Sequence, residues 1–134
     1  MRPGPYGGRV TAAPLTLPAR ALTGAFLASG VIHLARPQVF EPLVPSWVPV
    51  GARRTVHLSG VAELACAAAV LHPATRQAGG WATAALLLAI LPGNVQMARD
   101  GQRARSRAWR LGTLARVPLK APLVGIALRV ARGR

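Results

Sequence analysis

Few side chains in this sequence can do chemistry, and most of those stand in apolar surroundings. Glu63 lies in the run Val61 to Leu71, where a lone carboxylate is costly unless it is protonated or finds a partner. Arg116 and Lys120 are charged residues inside another apolar segment and are its natural partners. Ser59 and Glu63 are four residues apart, as are Arg116 and Lys120, so each pair shares one stripe of a helix. His33 and Asn94 are polar residues near the ends of two further apolar runs. The pattern predicts an ion pair between Glu63 and Arg116 inside a helical bundle. Two chemistries fit such a cluster: interhelical glue, or a ligand or proton site.

The elements that must position these residues are four apolar segments of membrane-spanning length. They run from about Leu17 to Ala35, Thr55 to Leu71, Ala78 to Ala98, and Leu111 to Ala131. Each is interrupted: by Arg20 in the first, Glu63 in the second, Pro92-Gly93 in the third, and Arg116, Pro118, Lys120 and Pro122 in the fourth. Helices that shield one another tolerate such interruptions better than independent anchors do. Exposed irregular backbone is not tolerated in hydrocarbon, so the blocks read as helices. The fold class expected is all-α: a four-helix transmembrane bundle with a proline-rich interfacial loop between the first two helices.

That loop, Arg36 to Arg54, contains Pro37, Pro42, Pro45 and Pro49, which break helical continuity every few residues. Phe40, Leu43, Val44, Trp47 and Val48 keep it apolar, which places it at the membrane interface as a lid over the polar cluster, with Trp47 shielded at headgroup depth. The second connection, His72 to Gln77, is a tight turn containing Pro73 and Arg76, and the third, Arg99 to Arg110, carries five Arg and is solvated. With a rise of 1.5 Å per residue, His33 lies roughly 3 Å, Asn94 roughly 6 Å, Arg116 roughly 8 Å and Glu63 roughly 12 Å from the same side of the bundle. The opposite half, with Leu71, Trp81, Ala84, Leu123 and Leu128, is apolar. Pro118 and Pro92 withhold amide donors from the carbonyls of Leu114 and Leu88, adding acceptors near the polar half.

Composition agrees with a membrane chain. Of the 134 residues, 51% are hydrophobic and 15% charged, and the mean hydropathy is +0.33. A net charge of +14 raises nucleic acid as a partner, but aromatic content is 4% and no nucleic-acid-binding module is present, so lipid headgroups are the better match for the arginines. Cys66 is the single cysteine, which excludes an internal disulfide, a C-x-x-C pair and a thiolate metal centre. His33 and His57 flank the first loop and are the residues a haem or metal would use, although a histidine at a helix end more often bonds a carbonyl. No metal site and no catalytic residue is assigned. Residues 1–18, rich in Pro and Gly, are expected to be disordered, residues 19–131 to form the membrane domain, and residues 132–134 a basic tail. Arg2 and Arg9 ahead of an apolar stretch imitate a secretory signal, yet the stretch continues directly into G-V-I-H and reads as the first span.

Several motifs occur in a recognisable order: G-V-I-H-L-A-R-P-Q-V-F-E-P-L-V-P-S-W-V-P (Gly30 to Pro49), L-S-G-V-A-E-L (Leu58 to Leu64), H-P-A-T-R (His72 to Arg76), L-P-G-N-V-Q-M-A (Leu91 to Ala98) and R-V-P-L-K (Arg116 to Lys120). Together they cover about residues 20 to 130 and resemble the DoxX-like family of small bacterial membrane proteins. The resemblance implies four transmembrane helices and a bacterial cytoplasmic membrane location. It carries over to His33, Pro37, Phe40, Pro45, Pro49, Ser59, Gly60, Glu63, Pro73, Arg76, Pro92, Asn94, Met97, Arg116 and Pro118. The chain departs at Lys120, where Gln is more usual, and at Gly93, where Ala is common. Some relatives of that family resemble a membrane subunit of a thiosulfate:quinone oxidoreductase. The implied role is an accessory or scaffold subunit of a redox-associated membrane assembly with redox-protein partners, and the alternative is a quinone-binding oxidoreductase subunit. No other cofactor is implied.

Overall fold

The computed structural model of the protein describes residues 13–134, and every regular element in it is helical. The expected disordered segment falls mostly on residues 1–12, outside the described residues; Leu17 and Pro18, at its end, already belong to a helix. Helix α1 spans Leu17–Ala35, α2 Ala52–Leu71, α3 Arg76–Ala89, α4 Leu91–Gly101 and α5 Arg107–Ala131. Taking α3 and α4 together as Arg76–Gly101, four helical spans are long and apolar enough to cross a membrane.

Local chemistry sets the boundaries. Thr16 caps α1, its hydroxyl accepting from the Ala19 amide at 3.4 Å, and Pro18 occupies the first turn, where its missing donor is harmless. Ser106 caps α5 in the same way through the Trp109 amide at 3.3 Å. That cap is why the third connection is shorter than expected: Arg99–Gly101 and Arg107–Arg110 are helical, leaving five residues, 102–106, between α4 and α5. The third apolar span is not one helix. It breaks at Ile90 because Pro92 sits in the first turn of α4 and has no amide hydrogen to offer the Leu88 carbonyl. The proline-rich connection folds as two 3-10 turns, Pro37–Val39 and Glu41–Leu43, and Pro49 lies in the turn that leads through Gly51, at φ 85°, into α2.

The helices pack in a ring. α1 lies on α2, α2 on α3, α3 on α5, and α5 returns to α1, with α4 packed against the first half of α5. Helices α2 and α5 therefore sit on the diagonal. The main core gathers Leu22, Phe26, Cys66, Ala67, Ala84, Leu87 and Ala127, and a smaller cluster joins Ala19, Val70 and Val130. Both occupy the half nearest the His72–Thr75 turn and the C-terminus. There Arg76 donates to the Val70 carbonyl at 3.0 Å and the Ala13 carbonyl at 2.7 Å, tying the end of α2 to the approach of α1, while Pro73 forms the turn. The basic tail is bound to its own helix, the Arg134 amide donating to the Arg129 carbonyl at 2.8 Å.

At the other end the packing loosens. Of the α5 residues before Leu123, Thr113 alone is buried, so the half of α5 that carries Arg116, Pro118 and Lys120 is held mainly by α4. The α1–α2 contact, by contrast, stays close along its length because of two glycines. A Cβ on Gly30 would lie 2.9 Å from the Gly60 carbonyl, and a Cβ on Gly60 would lie 2.8 Å from His33 Cβ.

Candidate functional site

Gly60 determines where the site forms. Its missing side chain lets His33 of α1 press against α2 three residues before Glu63, close to one turn away. His33 Nδ1 then lies 3.5 Å from Glu63 Oε2, with both side chains largely buried. The same nitrogen lies 2.6 Å from the Ser29 carbonyl and 3.2 Å from the Ser29 hydroxyl. One ring proton cannot serve two acceptors well, and the short contact goes to the Ser29 carbonyl. Glu63 Oε2 is consequently buried without a hydrogen-bond partner, and its attraction to His33 grows only when the imidazole is charged.

This corrects the expected Glu63–Arg116 ion pair. Among the described residues, no Arg or Lys nitrogen lies within 4.0 Å of Glu63; the guanidinium of Arg116 instead directs Nη1 toward Met97 Sδ at 3.9 Å. The cause is the ring order: α2 and α5 face each other diagonally, across open volume. His33 takes the place next to Glu63 because α1 and α2 are the pair that glycines allow to approach.

The open volume is a cavity of about 540 Å³ that collects every polar residue expected at the site: His33, Ser59, Glu63, Asn94, Arg116 and Lys120. Its two walls differ. α1 and α2 supply the imidazole, the Ser59 hydroxyl and the carboxylate; α4 and α5 supply Asn94, Arg116 and Lys120, all hydrogen-bond donors. Asn94 Nδ2 is buried with no partner, so the cavity presents an orphan donor on one wall and an orphan acceptor on the other. Between them the lining is apolar, with Val44, Pro45, Val48, Val56 and Ile90.

The proline-rich connection forms the roof. Phe40 stacks on the His33 ring with centroids 3.9 Å apart and planes 9° from parallel, holding the imidazole against α2. Pro37, buried, begins the turn that delivers Phe40. Trp47 borders the cavity and keeps 63% of its surface free of contact with the rest of the chain, so the bundle itself does not shield it, while Phe40 covers the His33 ring. An exposed bridge between Arg53 and Glu41, 2.6 Å, fastens the connection to the start of α2. Pro92 and Met97 also line the cavity, and Pro118 lies inside α5 between Arg116 and Lys120.

Ser29 is a site residue that the sequence reading misses. Its spacing of four residues before His33 is the available signal, since that spacing puts a hydroxyl and a carbonyl beside the imidazole. His57 does not line the cavity, and among the described residues no group of three or more His, Cys, Asp or Glu side chains is placed to hold a metal ion. Cys66 lies outside the site, in the apolar core.

An all-helical bundle with four spans long and apolar enough to cross a membrane, and a cavity that gathers the polar residues expected at the site, defines the class of this protein. The chain belongs to the family described as a domain of unknown function (DUF8561), whose model matches residues 22–131 and so takes in α2 to α5 and most of α1. No curated protein and no solved structure matches the chain.

Proposed function

We propose that this chain is a multi-pass protein of the bacterial cytoplasmic membrane, an accessory subunit of a redox-associated assembly whose contribution is a binding site for a quinone head. The observation that carries this reading is the pair of orphan polar atoms, Glu63 Oε2 and Asn94 Nδ2, bordering one cavity of about 540 Å³. A buried donor and a buried acceptor without partners are costly, and a molecule bearing both functions relieves them together. A quinone oxygen accepts from Asn94 and Lys120, and a quinol hydroxyl donates to Glu63, beside His33. The apolar lining suits the ring, and the volume lies in the usual range for small-molecule sites. With one cysteine there is no dithiol couple, so the electrons would come from a partner protein. The similarity of the motifs to the DoxX-like family supports the same placement.

The test is fluorescence titration of detergent-purified protein with a short-chain benzoquinone, with Trp81 and Trp109 replaced by Phe so that Trp47 reports. A saturable change that weakens at least about tenfold in Asn94→Leu, which loses the orphan donor, is expected. Absence of a saturable change would remove the quinone reading and leave the accessory role, which co-purification in mild detergent followed by mass spectrometry examines.

A further inference from the structure

A second cavity, of about 600 Å³, lies along the first half of α5, bounded by the 102–106 connection and by Met97 of α4. Arg105, Ser106 and Trp109 stand at its outer end, Gly112 along its side, and Met97 and Arg116 at its inner end. We infer that this groove binds the head and upper chain of an anionic phospholipid, a lipid whose phosphate carries a net negative charge; the inference rests on the four spans lying in a bilayer.

Charge is the first ground. Arg99 to Arg110 contains five arginines and one acid, Asp100, whose carboxylate is engaged by Gln96 Nε2 at 3.2 and 3.4 Å. Among the described residues, Arg53 is the arginine that meets a carboxylate within 4.0 Å, so none of the five, nor Arg116, has an acidic partner there. A cluster of this kind at the end of a membrane span is the footprint of an anionic lipid surface.

Shape is the second. From Ser106 to Arg116 the helix rises roughly 15 Å, which reaches from the headgroup region into the upper hydrocarbon of one leaflet. The groove thus has Arg105 and Trp109 at headgroup depth and below them a mostly apolar course past Ala108, Gly112 and Met97, with Arg116 at its inner end, which suits an anionic head above and the start of its acyl chains below. Gly112 leaves that course open, since a Cβ there would meet nothing within 4 Å. Gly101 brings the helices together at one flank, where a Cβ would lie 3.0 Å from Thr113 Cβ, so the groove is bounded by a fixed contact.

The test reconstitutes the full chain, with Trp47 and Trp81 replaced by Phe, into vesicles of phosphatidylcholine containing either bromine-chain phosphatidylglycerol or bromine-chain phosphatidylcholine, and reads quenching of Trp109. Phosphatidylglycerol is expected to quench at a mole fraction lower by about fivefold for each arginine that meets the phosphate. Arg105→Gln should remove about one such factor, and Gly112→Leu, which fills the groove, should abolish the preference. Equal quenching by the two lipids, or a preference that survives both substitutions, would overturn the inference. Flotation with the vesicles is scored separately: a chain that floats with neither composition shows that the bilayer placement itself has failed.

Discussion

His33 Nδ1 lies 3.5 Å from Glu63 Oε2 across the α1–α2 contact, and among the described residues no arginine or lysine comes as close to that carboxylate. Groups in contact couple energetically and separated ones do not. In a thermal-stability cycle in detergent, His33→Ala and Glu63→Gln should show a coupling of about 0.5–3 kcal/mol, whereas Arg116→Met and Glu63→Gln should add to within about 0.5 kcal/mol. Coupling confined to the Arg116 pair would show that α2 and α5 close on each other.

The α1–α2 contact itself depends on Gly60. Replacing it with Ala puts a Cβ 2.8 Å from His33 Cβ and 3.0 Å from the Gly30 carbonyl, and backbone at that distance cannot move aside alone. A loss of about 1–3 kcal/mol is expected. A Cβ on Gly24, on the same helix as Gly30, would meet nothing within 4 Å, and Gly24→Ala should be neutral or stabilising by up to about 1 kcal/mol. Equal effects at the two glycines, measured as detergent melting midpoints, would contradict close packing at Gly60.

Phe40 covers the His33 ring and with it the approach to Glu63. Phe40→Ala should open that approach and speed modification of Glu63 by a hydrophobic carbodiimide several-fold, with Phe40→Leu intermediate. Peptide mass spectrometry of the labelled protein reads the result directly. An unchanged rate would mean that the roof does not limit access.

Cys66 gives a reporter for the opposite half. It is 8% exposed and packed among Leu22, Phe26 and Leu87 in the core. A maleimide should leave it unmodified in mild detergent and react fully once the bundle is unfolded. Fast labelling of the folded protein would show that the apolar half is not packed as described.

Much of this architecture is legible in the residues alone. Four apolar blocks of bilayer length specify the helices, because a chain with that little charge has few other ways to satisfy its backbone, and prolines at 37, 42, 45 and 49 mark the one long connection that is not α-helical. Counting rise per residue puts His33, Glu63, Asn94 and Arg116 in one half, and they do share one cavity. Which of them touch is a different matter. Depth along a helix follows from residue number, but the neighbour across a bundle follows from the order of helices around the ring and from how closely each pair can approach. Gly30 and Gly60 bring α1 onto α2 and hand Glu63 to His33, while α5 stands diagonal to α2 and keeps Arg116 across the cavity. The break at Ile90 is legible in Pro92, which has no amide hydrogen for the Leu88 carbonyl, whereas the stacking of Phe40 on the His33 ring is settled in three dimensions, since it turns on where the connection is pressed by its neighbours and not on the types of its residues.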